Sequence, residues 1–122
     1  MPVLSVNSSG NPTEIIRPNH GPAVTLAGTG TVIANAAAIT SRFTRSTGDD
    51  TVGVILPSTA APGDEYLIYN LAATAGLKVY PHVNGDVNDG SANAAVVIEG
   101  KSLARFVNVD GTTWAGQFTA NS

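Results

Sequence analysis

The chain has 122 residues, enough for one domain, and its 43% hydrophobic content suffices for an ordinary core. It contains no cysteine, which excludes a disulfide-stapled scaffold, thiolate zinc sites and thiol catalysis. Six basic residues stand against nine acidic ones for a net charge of −3, and only 12% of residues are charged, about half the share near 25% usual for a soluble domain. Such a sparsely charged surface expects partners.

Arg17, Arg42, Arg45, Lys78, Lys101 and Arg105 are scattered. Nucleic acid is therefore not expected as a partner, although folding can still gather Arg42, Arg45 and Arg105. The opening "MPVLSVNSSG" has no basic segment followed by an apolar core, and no apolar stretch approaches the roughly 20 residues that cross a bilayer. A soluble product without a signal peptide is expected.

Residues 1–22 carry Pro2, Pro12, Pro18 and Pro22, with Gly10 and Gly21 among Asn and Ser. Proline lacks an amide proton and biases its predecessor toward extended backbone, so this segment reads as an extended arm. Val3, Leu4, Val6, Ile15 and Ile16 are apolar anchors that a solvated tail would not need, and with Arg17 they are the expected contacts to another protein surface.

Residues 23–122 read as a β-domain. Short β-branched and aromatic runs alternate with turn signals: "AVTLAG", "SRFTRS", "TVGVILP", "EYLIYNL", "LKVYP", "AAVVIEG", "SLARFVNV" and "TWAGQFT". "TVIANAAAITSRF" is the one helix candidate; its alanines favour helix, while Thr31, Val32, Ile33, Ile39 and Thr40 oppose it. The later turns "NGDVNDG", "EGK" and "DGT" suit tight hairpins, so consecutive antiparallel strands are predicted. The expected fold is all-β: a small antiparallel β-sandwich or barrel-like domain with an extended N-terminal arm.

Alternate residues of a strand point to opposite faces. In "EYLIYNL" one face takes Leu67, Tyr69 and Leu71 and the other Tyr66, Ile68 and Asn70. In "SLARFVNV", Leu103, Val107 and Val109 share a face with Arg105, opposite Ala104, Phe106 and Asn108. A sheet apolar on both sides is either the middle layer of its own domain or covered by a neighbouring subunit.

Motifs with chemistry fail their tests. Counting an EF-hand loop from Asp86 places Asn88 at position 3 but Gly90 at position 5 and Val97 where the bidentate glutamate belongs. Asn84-Gly85 and Asp89-Gly90 therefore read as a connection between strands, with a weak cation site on Asp86, Asn88 and Asp89 as the other reading. "EGKS" has Ala95 where a phosphate-binding loop needs glycine, and "GTGTVI" has Ile33 where a dinucleotide fingerprint needs one. His20 and His82 lack partners at metal-ligand spacing. Asp49, Asp50, Asp64, Asp86, Asp89 and Asp110 border turns, where they can accept from local amides. Trp114 reads as core filler or interface anchor, or as a ring that stacks on a sugar. No catalytic residue, cofactor or metal is expected, and the chain is not expected to be an enzyme.

The run "GDEYLIYNLAATAGLKVYPHVNGDVNDGSANAAVVIEGKSLARFVNVDGTTWAG", residues 63–116, resembles a β-module common in virion proteins of tailed bacteriophages. The likeness lies in the order of parts: an apolar strand ending in Asn70, "ATAGLKVYP", a Gly85-Asp86-Val87-Asn88 turn, "ANAAVVI", then "GKSLARFVNVDGTTW". Such modules occur in capsid decoration (cement) proteins and in fibre or tail proteins. A chain of 122 residues from Met1 is far shorter than a typical fibre, so the decoration reading leads. The resemblance implies a structural protein that binds the outside of an icosahedral phage capsid and stabilises it, as a homotrimer. Its partners would be the major capsid protein and copies of itself, with no nucleic acid, membrane or small-molecule substrate. Its place would be the capsid exterior of the virion, after synthesis in the host cytoplasm. The alternative is a receptor- or glycan-binding tail or fibre tip. The proline-rich arm departs from the module.

Overall fold

The structure is a computed structural model that describes residues 20–120. It is all-β. Ten strands follow in order: β1 (Val24–Thr25), β2 (Ala37–Ala38), β3 (Phe43–Ser46), β4 (Gly53–Ile55), β5 (Glu65–Asn70), β6 (Leu77–Tyr80), β7 (Asp86–Val87), β8 (Val96–Ile98), β9 (Leu103–Asn108) and β10 (Thr113–Gln117). The helix candidate resolves into one 3-10 turn, Ile33–Asn35, followed by the short strand β2. Its branched residues outweigh its alanines.

The strands divide into a six-stranded sheet, β1-β3-β5-β9-β10-β7, and a four-stranded sheet, β2-β4-β6-β8. From β1 to β8 successive strands alternate between the two sheets, so neighbours within a sheet are mostly strands that are not consecutive in the chain. β1, β3 and β5 are parallel to one another, as are β2, β4 and β6. Thr25 stands beside Arg45 and Arg45 beside Tyr69, advances of 20 and 24 residues along the chain.

This winding is solenoid-like, and it replaces the expected antiparallel sandwich or barrel. Among the strands of the described residues, antiparallel pairing joins β5 with β9, β9 with β10, and β6 with β8, and isolated antiparallel bridges join Thr29 with Gly53 and Ile98 with Ala120. The turns carry the expected chemistry, but most lead into the opposite sheet and not back along the same one. Only "DGT" closes a hairpin between consecutive strands: Asp110 accepts from the amides of Thr112 and Thr113, and the Val109 amide donates to the Thr113 carbonyl.

The core lies between the sheets. β4, β6 and β8 contribute Val54, Leu77, Val79 and Ile98; β5, β9 and β10 contribute Tyr66, Ile68, Ala104, Phe106 and Trp114. Burying each large apolar side chain is worth about 1.5–3 kcal/mol. Trp114 is wholly buried, edge-on to Tyr66 at 5.8 Å between ring centroids, and its indole N–H donates to His82 Nδ1 at 3.0 Å.

The "HVNGDVNDGSANAAVV" stretch connects β6 to β8, as expected, but adds a detour. Asp86–Val87 forms β7 and pairs in parallel with β10 in the other sheet. Asn84, Asn88, Asp89 and Asn93 take the left-handed backbone there, residue types that tolerate it because their side chains bond locally.

Candidate functional site

Among the described residues no group of three or more His, Asp or Glu is placed to hold a metal ion, and the candidate site is a surface. The six-stranded sheet has an outer face that its own chain leaves partly open. β5 turns Glu65, Leu67 and Tyr69 outward while Tyr66, Ile68 and Asn70 are buried, and β9 turns Leu103, Arg105 and Val107 outward while Ala104, Phe106 and Asn108 are buried. The two-sided apolar pattern is therefore real, and only one side of it is the core.

The register sets these residues in rows. Phe43, Leu67, Arg105 and Gln117 cross the sheet in one row; Thr25, Arg45, Tyr69 and Leu103 in the next; Glu65, Val107 and Ala115 in a third. Leu103 is 52% exposed, and Val109, just past β9, is 54% exposed. Isolated exposed apolar residues are ordinary, whereas here Leu67, Tyr69, Leu103 and Val107 cluster around one arginine, Arg105, a mixture found in protein-binding patches.

Charges on this face are tied down. Arg105 Nε donates to Glu65 Oε2, and its guanidinium also reaches Gln117 Oε1 at 3.4 Å. The Arg105 hydrogen bond, joined by His20, holds the Glu65 carboxyl below the usual glutamate range. Arg45 Nε donates to Thr25 Oγ1 at 2.7 Å. Arg42 pairs with Asp64 at 3.4 Å and lies over the Tyr66 ring, 4.9 Å from its centroid. Of the three arginines that folding could have gathered, Arg42 and Arg105 thus meet carboxylates.

His20 Nε2 lies 3.4 Å from Glu65 Oε1, so the chain enters the described region at the edge of this same face. Val3, Leu4, Val6, Ile15, Ile16 and Arg17 lie outside the described residues. No local pattern announces the His20, Glu65 and Arg105 constellation, because Glu65 and Arg105 are 40 residues apart with three strands between β5 and β9.

The remaining candidates have structural employment. Asn88 bonds both ways to Gly116 in β10, accepting from its amide at 2.8 Å and donating to its carbonyl at 3.2 Å. Asp86 Oδ1 accepts from the Thr113 hydroxyl at 3.0 Å. Asp49 and Asp110 accept from turn amides two and three residues on, which lowers both carboxyls below the usual aspartate range; for Asp49 the Thr51 hydroxyl is the largest cause.

A cavity of about 320 Å³ beside β2 and β4 has Ile39, Ile55 and Leu56 in its wall, together with Ser58, Thr59 and His82. The His82 ring takes the indole proton of Trp114 on Nδ1, so its own proton sits on Nε2. Of the rings that could stack on a sugar, Trp114, Tyr66 and Tyr80 are buried, while Tyr69 and Phe43 are partly exposed on the outer face. No helix among the described residues is long and apolar enough to cross a membrane. No known protein-family model matches the chain, and no curated protein matches it either.

Proposed function

We propose that this chain is a structural virion protein that binds the outside of an icosahedral phage capsid and stabilises it. It acts as a homotrimer and does no chemistry. The observation that carries this reading is the outer face of the six-stranded sheet, where Leu67, Tyr69, Leu103 and Val107 surround the ion-paired Arg105 on a protein with few charges. The order of sequence parts in residues 63–116, which resembles a β-module of tailed-phage virion proteins, supports it.

Adhesion is the output. Apolar burial is worth roughly 25 cal/mol per Å², so even a modest contact per subunit outweighs part of the ordering cost. Three linked contacts form at high effective concentration, which turns weak grips into a firm one. The arm, with Val3, Leu4, Val6, Ile15, Ile16 and Arg17, extends the adhesive surface toward the shell or the adjoining subunit. A glycan-binding tip is less well supported, since Trp114, Tyr66 and Tyr80 are buried in the chain's own body.

The test is co-sedimentation of the protein with undecorated phage capsids. Saturable binding of the full chain, and a folded chain lacking residues 1–17 that no longer saturates the shell, are expected. Equal occupancy by both chains rejects the role of the arm, and no binding by either rejects the function.

A further inference from the structure

The chain contains one Asn-Gly pair, Asn84-Gly85, and two Asp-Gly pairs, Asp89-Gly90 and Asp110-Gly111. Asn-Gly is among the most labile dipeptides of an unfolded chain, because glycine leaves the following backbone nitrogen uncrowded. That nitrogen attacks the asparagine Cγ: an N–Cγ bond forms, and the side-chain amide nitrogen leaves as ammonia, taking the proton that the backbone nitrogen gives up. Water then opens the cyclic imide at either carbonyl, which yields aspartate or isoaspartate, the latter with one extra methylene in the backbone.

The fold demands both residues of this pair. Asn84 stands in left-handed backbone, with a φ of +71°, which asparagine tolerates. At Gly85 a Cβ would lie 2.8 Å from the Thr112 carbonyl oxygen and 2.9 Å from His82 Cε1, so no larger residue fits. The same fold holds the reacting nitrogen. Gly85 is buried, its N–H donates to the His82 carbonyl at 2.8 Å, and its own carbonyl accepts from the Asn93 amide at 2.9 Å. On either side of it, the Asn84 N–H donates to Asn93 Oδ1 at 2.6 Å and the Asp86 N–H to the Thr112 carbonyl at 3.1 Å. Asn84 itself is exposed, so the restraint lies in the backbone and not in exclusion of water.

Ring closure consumes the Gly85 amide proton, so the bond to the His82 carbonyl has to break first, and a buried residue fixed at both its N–H and its carbonyl has to move toward Asn84 Cγ. We propose that Asn84-Gly85 is a modification site closed by the fold: deamidation there requires the connection between β6 and β8 to open locally, and the two bonds from Asn93 keep it shut. Local opening of this kind is separate from global unfolding, so the rate at Asn84 reports on this one connection. The inference does not depend on the capsid reading, because it concerns the isolated chain.

The full-length protein is incubated at neutral pH, native and in urea, and peptide mass mapping follows aspartate and isoaspartate at residue 84. Deamidation at least tenfold slower in the native protein is expected; equal rates overturn the proposal. Asn93→Gly keeps the left-handed backbone of residue 93, whose φ is +65°, and removes the side-chain tie to Asn84. In that variant deamidation at Asn84 under native conditions rises at least threefold. Isomerisation at Asp110-Gly111, where the Gly111 amide donates to Asn108 Oδ1 at 2.6 Å, keeps its wild-type rate in the same sample. A rise missing at Asn84, or matched at Asp110, overturns the part given to Asn93.

Discussion

Asn70 closes β5 by bonding in four directions. Its Oδ1 accepts from the amides of Gly48 and Ala72, each at 3.0 Å, and its Nδ2 donates to the carbonyls of Ala75, at 2.9 Å, and Ile98, at 3.2 Å. One fully buried side chain thereby ties the loop after β3, the loop after β5, and strand β8. Each buried group left without its partner costs about 1–3 kcal/mol. Asn70→Ala should lower stability by roughly 3–5 kcal/mol on that basis, read as a fall in the urea midpoint. Asn70→Asp should be no better, since it removes both donors and buries a charge. Glu65 works at the surface and responds to pH. Its folded pKa is depressed, first by Arg105, so the unfolded chain binds more protons in the acid range. Its contribution is complete above the ordinary glutamate value of about 4.3 and is lost as pH falls through the lower folded value. Glu65→Gln should therefore narrow the gap in urea midpoint between pH 6 and pH 3 relative to the wild type. An unchanged gap would mean that the Arg105 contact adds nothing to stability.

Strands stack closely where loops cross between the sheets, and glycine permits it. A Cβ on Gly48 would run into the carbonyl of Gly76, a backbone group that cannot swing aside. Gly48→Ala should cost about 1–3 kcal/mol, the usual range for overpacking, measurable by thermal or urea unfolding. All eight predicted runs contain a strand of the structure, because β-branched and aromatic runs between turn residues are a local signal. The two missed strands, β2 and β7, have two residues each and include Ala37, Ala38 and Asp86, which no strand propensity would single out. The pairing was not legible for a different reason. "NLAATAG" and "STAAPGD" say that the chain turns, but whether the next strand returns beside the last or crosses to the other sheet is decided by distant hydrogen bonds. Advances of 20 and then 24 residues between stacked positions leave no fixed period to read. Face counting did survive, since alternation holds in parallel and antiparallel strands alike. It separated Tyr66, Ile68 and Asn70 from Leu67 and Tyr69, which is how the candidate surface was visible before the fold. The His20, Glu65 and Arg105 contact and the Trp114 to His82 bond were not visible, because each joins segments that only the solenoid-like winding brings together.

The whole molecule is a two-sheet body with one apolar side spent on its own core and another still available. Its few charges on that second side are paired with one another or with side-chain amides and hydroxyls, which lowers the cost of covering them with another protein. On the proposed reading, this pairing is what suits the face to adhesion. The central claim of the proposed function is that the outer sheet face is satisfied by further copies of the chain. Light scattering of the purified full-length protein at micromolar concentration tests it most directly. The account predicts a mass three times that of one chain; the mass of a single chain, unchanged on raising the concentration, would contradict it.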